Sequence, residues 1–393
     1  MSSRPAHPAR PLLLGLLAAT ALAGCGTEST AAPEAGDPRA LVVTSRDDAC
    51  ELSAVTAPAG TLTFAVSNEG RDVTEFYLLA DDGLRIIGEV ENIGAGAGNR
   101  LTVTAPAGDY VAVCKPGMSG DGLRQAFTVT ESDDDAPAIS ADDQVLIDQA
   151  LAGYAAYVRD QTDQLLARTE EFVTAYGAGD DDRARALYPV ARTHWERIET
   201  VAESFGDLDP RMDLREADLE PGQTWTGWHL LEKDLWPAEA EAGYAGLTPA
   251  ERRRYAGQLL ADTRDLRARV ADLTYTVDDI ANGSRGLLEE VATGKVTGEE
   301  ERWSHTDLWD FQANVDGARV AFEGVAPIVE RREPALAATL TERFAALQDL
   351  LDRHREGEGF VTYTALDPAE VKALADAVNA LSEPLSRLTA AVV

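Results

Sequence analysis

From Leu41 to Thr130 the apolar positions recur with period two. Leu62, Phe64 and Val66 alternate with Thr61, Thr63 and Ala65, and Val111 and Val113 alternate with Tyr110 and Ala112. Alternation of this kind places successive side chains on opposite faces of a strand. Turn signals cut the region into short pieces: Ala57-Pro58-Ala59-Gly60, Asp81-Asp82-Gly83, Pro106-Ala107-Gly108-Asp109 and Pro116-Gly117. The pattern predicts an all-β sandwich over residues 40–131, about 90 residues with roughly seven strands. An acidic, proline-containing stretch then reads as a linker over 132–142. Beyond it the period becomes helical, with apolar positions three and four apart over 143–176, 181–206, 223–237, 249–275, 276–294, 304–326, 335–356 and 368–392. Breakers such as Gly177-Ala178-Gly179, Pro221-Gly222, Thr248-Pro249 and Asp367-Pro368 separate these segments. Residues 143–393 are therefore expected to form an all-α domain of packed helical bundles.

Ahead of the sandwich, Arg4 and Arg10 precede an apolar run from Pro11 that ends in Leu22-Ala23-Gly24-Cys25. The run is too short for a stable transmembrane helix and reads as a secretion signal. Its last four residues are similar to a bacterial lipobox, in which the cysteine is acylated and becomes the first mature residue. Residues 1–25 are then a lipoprotein signal with Cys25 as lipidation site, and 26–39 a Thr/Ser/Gly-rich tether. The blander alternative is an ordinary secreted protein with a chance cysteine. A lipid on Cys25 would be the sole membrane contact and would hold the protein outside the cytoplasm, on the outer face of the cell membrane.

Charge narrows the partners. The 393 residues carry 35 Lys plus Arg against 68 Asp plus Glu, a formal charge of −33, and loss of Arg4 and Arg10 with the signal leaves −35. Such a surface repels phosphate backbones, so nucleic-acid binding is excluded. A hydrophobic share of 45% is ample for a packed core and excludes a wholly disordered acidic chain.

Candidate chemistry concentrates in the helical region. In Thr226-Gly227-Trp228-His229-Leu230-Leu231-Glu232, His229 and Glu232 lie one helical turn apart and project from one face, where they can share a cation. Trp225, Trp228 and Trp236 flank them, a setting that favours burial. On a second predicted helix, Trp195, Ile198, Ala202 and Phe205 form the core stripe, while Glu196, Glu199 and Glu203 form an adjoining row. Carboxylates in a row repel unless a cation neutralises them, and the alternative reading is a solvated face tempered by Arg192 and Arg197. Asp213 and Glu216 add an acidic cluster before the His229 helix. Ser304 with Asp307 reads as a helix cap, and Asp310 follows on the same helix.

Several chemistries lack their residues. No His-Glu-x-x-His occurs, Lys233 after Glu232 spoils the reversed zinc motif, and there is no Gly-x-Ser-x-Gly. Between Cys25 and Ser140 there is no histidine, so a two-His, one-Cys copper site cannot form in the sandwich. Cys50 and Cys114 are left as either a disulfide or metal ligands, with Glu51, Glu75, Glu89, Glu91 and Met118 as companions.

The runs Ala186-Leu187-Tyr188-Pro189-Val190-Ala191-Arg192-Thr193-His194-Trp195-Glu196, Ala202-Glu203-Ser204-Phe205, Gly227-Trp228-His229-Leu230-Leu231-Glu232-Lys233 and Ser304 to Asn314 closely resemble the EfeO family. These are extracytoplasmic components of bacterial iron uptake, with a cupredoxin-like Greek-key sandwich ahead of an imelysin-like (M75) helical domain. The likeness extends to Glu89-Val90-Glu91-Asn92-Ile93 and to the positions of Cys50 and Cys114. The resemblance implies an iron-binding protein that works with an EfeU-type membrane permease and an EfeB-type haem peroxidase. His229 and Glu232 would be the family's His-x-x-Glu metal ligands, joined by Glu196, Glu199 and Glu203 on helical facing and by Asp310. Cys50, Glu51, Glu75, Glu89, Glu91 and Cys114 would serve the sandwich. Iron, as Fe³⁺ or Fe²⁺, is expected in the helical domain, and copper or a second iron in the sandwich. The rival readings are an M75-type metallopeptidase and a metal-dependent module for acidic polysaccharide.

Overall fold

The computed structural model describes residues 36–132 and 140–393, apart from the side chains of Glu203 and Thr293. The proposed lipidation residue Cys25 and most of the expected linker lie outside the described residues.

The β region consists of β1 (Ala40–Ser45), β2 (Cys50–Leu52), β3 (Thr56–Pro58), β4 (Gly60–Asn68), β5 (Thr74–Leu79), β6 (Ile86–Ile93), β7 (Gly98–Ala105), β8 (Gly108–Cys114) and β9 (Leu123–Thr130). Two of these strands, β2 and β3, have three residues each, too short for a period-two pattern to reveal, so the sandwich has more strands than expected. One sheet runs β2-β1-β4-β7 and the other β3-β9-β8-β5-β6, with β1 parallel to β4 and β3 parallel to β9. Leu62, Phe64 and Val66 point inward as their alternation requires, and they meet Phe76, Leu78, Phe127 and Val129 of the facing sheet.

Cys50 and Cys114 are bonded to one another, joining β2 of one sheet to β8 of the other. Neither sulfur is therefore a thiolate, and both drop out of the expected ligand set for the sandwich. The bond closes a sequence separation of 64 residues. Its loss through Cys50→Ser should destabilise the chain by about 4 kcal/mol by loop-closure entropy. The check is denaturant unfolding of Cys50→Ser beside wild type, with and without reductant. A reductant-insensitive wild-type curve matching that of the variant would contradict it.

The helical region comprises α1 (Ala141–Ala178), α2 (Asp181–Glu196), α3 (Glu199–Glu203), α4 (Asp209–Met212), α5 (Trp228–Leu235), α6 (Pro249–Ala271), α7 (Val277–Thr293), α8 (Asp307–Arg332), α9 (Pro334–Leu351), α10 (Pro368–Leu385) and α11 (Leu388–Val392). Thr248, Thr276 and Asp367 cap α6, α7 and α10 through reciprocal capping boxes, with Pro at the first helical position of α6 and α10. The expected segment 181–206 divides at Ile198, whose backbone leaves the helix. Asn314 of α8 donates to the Glu196 carbonyl at 2.8 Å, taking up a C-terminal acceptor of α2. Ser304 does not cap α8. The helix starts at Asp307, and the Ser304 hydroxyl turns to Glu301 instead, at 2.8 Å.

The described residues of the sandwich and the helices belong to one compact unit. β7 ends its sheet, which leaves a row of backbone groups without a strand partner. Side chains of α7 occupy that row: Asp278 accepts from the Thr104 amide at 2.5 Å, Asn282 donates to the Thr102 carbonyl at 2.9 Å and Arg285 donates to the Arg100 carbonyl at 3.3 Å, while Arg285 also reaches the Glu89 carbonyl of β6 in the other sheet at 2.9 Å. α7 thus serves both as a bundle helix and as the cover of a sheet edge.

Candidate metal centre

The His229 helix owes its position to a glycine. Gly227 has φ +89°, and a Cβ there would lie 2.1 Å from the Met212 carbonyl oxygen, so only glycine lets the start of α5 touch the end of α4. That contact sets Asp213 beside His229. All eight residues of α5 are buried, and Trp228 packs against Phe172 and Tyr188 with ring centroids 5.4 and 6.0 Å apart. His229 is 1% exposed and Glu232 fully buried.

His229 and Glu232 touch, as their spacing requires: Nδ1 lies 3.2 Å from Glu232 Oε2. The other Glu232 oxygen accepts the backbone N–H groups of Trp303 and Ser304, at 2.8 and 2.7 Å. Glu232 is thereby fixed at both oxygens and in turn fixes the ring. Nε2 faces the opposite way, 3.5 Å from Asp213 Oδ1 and 3.5 Å from Glu300 Oε1, with no hydrogen-bond partner. Among the described residues, three groupings place all their candidate ligand atoms within 4.8 Å of one another: Asp213/His229/Glu300, His229/Glu232/Glu301 and Glu196/Glu199/Asp213. All three lie in the helical domain.

Arg192 and Lys295 lace these acids together, and Arg215 adds a contact to Glu300 at 3.4 Å. The buried Arg192 guanidinium bonds Glu196 and Asp213, lies 2.6 Å from Glu301, 3.4 Å from Asp310 and 3.7 Å from Glu300. Lys295 Nζ, also fully buried, lies 2.7 Å from both Glu196 and Glu199. Asp310 belongs to this network, but its neighbours are Arg192 and Glu301. The side chain of Glu203 is outside the described residues, so the third member of the expected glutamate row has no structural account.

Burial raises the Glu199, Glu301 and Asp310 carboxyls well above the usual range. Asp213 and Glu300 go the other way: burial would raise them, but Arg192 on Asp213 and the neighbouring His229 imidazole, with Lys295, on Glu300 prevail, and both carboxyls are lowered. The two acids held ionised are the two that face His229 Nε2. On His229 itself, burial and Arg192 oppose the charged form, yet Glu232, Glu300 and Asp213 outweigh them and raise the imidazole to about 10.

In the sandwich, Tyr77 donates to Glu75 at 2.5 Å and lies 3.4 Å from Glu91, and Tyr77 pairs across the strands with Glu89. The structure therefore gathers Glu75, Glu89 and Glu91, beside Glu289 and Glu290 of α7. Burial, with Glu75 and Glu290, raises the Glu89 carboxyl to about 8. Glu51 is elsewhere, on β2, paired with Arg46 at 2.5 Å.

These shifts set a pH dependence. Folded Glu89 (about 8 against 4.5), Asp307 (about 7 against 3.8) and His229 (about 10 against 6.5) hold protons that the unfolded chain releases. The stability they contribute is complete below the unfolded values and is lost as pH rises through the folded ones. The metal-free protein should melt lower at about pH 9 than at about pH 6, by on the order of 5 °C. Calorimetry checks this, and Glu89→Gln should flatten the curve around pH 8. A melting temperature that rises over that window would refute the assignment.

The imelysin (M75) family profile matches residues 150–388 and a cupredoxin-like domain profile matches residues 15–124. The chain is 35% identical over 357 residues to the iron uptake system component EfeO of Escherichia coli K12, covering 90% of this chain and 92% of that one. The chain belongs to the EfeO family. The same protein of Shigella flexneri matches to the same extent. The EfeO fold, a cupredoxin-like sandwich followed by an imelysin-like helical domain, is the one described above. A crystal structure of a chain described as an iron-regulated protein A precursor from Parabacteroides distasonis resembles this fold over part of its length, with a TM-score of 0.50, 16% identity, and coverage of 66% of this chain and 98% of that one. Among the described residues of this EfeO-family chain, no helix is long and apolar enough to cross a membrane.

Sequence reasoning brought together His229, Glu232, Glu196, Glu199, Glu203 and Asp310; of these His229 and Glu232 touch, Glu196 and Glu199 share Lys295, and Asp310 faces Arg192. It saw Asp213 only as part of an acidic cluster, and it missed Glu300, Glu301 and Lys295. The one local signal for the glutamates was the run Glu299-Glu300-Glu301 ahead of Trp303.

Proposed function

We propose that this protein is the extracytoplasmic iron-binding component of an iron uptake system, capturing iron in the helical domain at His229 Nε2, Asp213 and Glu300. The observation that carries the reading is the orphaned Nε2, buried, without a hydrogen-bond partner, and facing two carboxylates held ionised. Glu232 acts through Nδ1, as carboxylates behind metal-bound imidazoles commonly do. One imidazole among several carboxylates is a hard, oxygen-rich set that suits Fe³⁺ and Fe²⁺ and accepts Mn²⁺ or Zn²⁺. A lipid on Cys25 would hold the binder at the outer face of the cell membrane, beside an EfeU-type permease that takes the iron and an EfeB-type haem peroxidase. A copper or second iron in the sandwich would rest on Glu75, Glu89 and Glu91 without thiolates.

The names of the relatives and the donor set support this reading over hydrolysis. With His229 and Glu232 closed off from solvent, a polypeptide backbone has no approach to the pair. The deciding experiment is titration of the full chain with Fe³⁺, Fe²⁺, Cu²⁺ and Zn²⁺, together with a casein cleavage assay. Saturable iron binding without cleavage is expected. Absence of iron binding, or cleavage abolished by Glu232→Ala, would overturn the proposal.

A further inference from the structure

Each of the three ligand groupings contains oxygens already held by an internal cation. In Glu196/Glu199/Asp213 the cation is placed as a bound ion would be: Lys295 Nζ sits 2.7 Å from one oxygen of Glu196 and 2.7 Å from one of Glu199, with Arg192 on the remaining Glu196 oxygen and on Asp213. Asn314 Nδ2 adds a contact to the same Glu199 oxygen, at 2.9 Å. Lys295 reaches this point from a tight turn, Lys295–Thr297, between α7 and α8. Its position there is imposed from outside the cluster, because Tyr363 packs over Gly298, where a Cβ would be 2.3 Å from the ring, and the Tyr363 hydroxyl bonds the Val296 carbonyl.

A buried lysine with no exposed surface is rare, since its charge must be fully compensated. Here the two glutamates compensate it, and it compensates them. An ion at the Glu196–Glu199 pair would have to share two oxygens with an ammonium in a region of low dielectric, where like charges repel strongly. Asp213 is shared between this grouping and the His229 grouping, so an unblocked pair would offer a second cation position next to the first.

We infer that Lys295 is a tethered stand-in cation that occupies the Glu196–Glu199 position and restricts the helical-domain cluster to one metal ion, bound on the His229 side. The inference rests on the iron-binding reading above and adds the residue that sets stoichiometry. It also separates the acids by role: Asp213 and Glu300 serve the captured ion, whereas Glu196 and Glu199 serve Lys295. A single-ion site bordered by a fixed ammonium releases its cargo more readily than a two-ion cluster bridged by shared carboxylates, which suits a carrier that must give iron up.

The test counts iron per chain on the full-length protein after anaerobic loading with Fe²⁺ alone and gel filtration. Lys295→Met should hold one ion more than wild type, and Lys295→Met with Glu199→Gln should return to the wild-type number. Glu199→Gln alone, and Lys295→Arg, should leave the number unchanged. Lys295→Met leaves Glu199 without its cation and Glu196 with Arg192 alone and is expected to melt lower without iron, so its melting temperature should rise more on iron addition than that of wild type. An unchanged ion count in Lys295→Met, a Lys295→Met that stays unfolded at saturating Fe²⁺, or a loss of one ion in Glu199→Gln alone would each overturn the inference. Failure of the wild type to bind iron at all would instead strike the iron-binding reading.

Discussion

His229→Ala should lose iron affinity by about 10²–10³-fold, equivalent to roughly 3–4 kcal/mol. The substitution removes the one nitrogen donor and leaves Asp213 and Glu300 without the partner that holds them together across 3.5 Å gaps. Glu232→Gln sharpens the point. Its amide oxygen can still accept the Trp303 and Ser304 N–H groups, so the loop stays in place, but its NH₂ donates to Nδ1 where the carboxylate accepted. The proton of a neutral ring is then forced onto Nε2, which loses its lone pair for a metal. The expected loss is about 10–100-fold, the size typical of a partner one bond removed from the ion. Isothermal titration of the three proteins with Fe³⁺ and Fe²⁺ gives the answer. Equal affinity in all three would place the iron elsewhere.

The second large effect concerns stability rather than binding. Arg192→Met should destabilise the metal-free protein by about 3–5 kcal/mol, the cost of stripping one partner from a buried ion network. Few substitutions reach that range, and the reason lies in the number of acids that lean on one guanidinium: Glu196, Asp213, Glu301 and Asp310, with Glu300 slightly farther off. Methionine keeps much of the volume and none of the charge. Denaturant melts of wild type and variant measure the loss, and iron should restore a larger part of the stability in the variant, because a bound cation takes over neutralisation. A variant as stable as wild type without metal would mean that the carboxyls discharge their repulsion by protonation alone.

The two predictions separate the network into an ion-holding side and a scaffold side, and that division was only half visible before the fold was known. Trp195, Ile198, Ala202 and Phe205 were expected as a core stripe on one continuous helix, and all four are buried. The helix nevertheless breaks at Ile198, where Asn314, more than a hundred residues later in the chain, takes the Glu196 carbonyl. Glu196 and Glu199 stay neighbours across the break through Lys295, although their regular helical spacing does not survive.

What the sequence determined by itself are the properties that depend on neighbours along the chain. Period two gives the sandwich faces, period three to four gives the bundle, Thr248 and Asp367 start their helices, and His229 meets Glu232 because one helical turn brings them together. What only the tertiary structure decided are the encounters between distant segments. Cys50 and Cys114 were compatible with either a bond or two ligands until β2 and β8 were brought within 5.5 Å at Cα. Asp213 reaches Nε2 through the close approach that Gly227 permits, Glu300 through the loop pinned on Glu232, and Lys295 through the turn held under Tyr363. No periodicity records such meetings, because their free energy comes from packing and from the pairing of buried charge, and neither exists until the chain has closed around them.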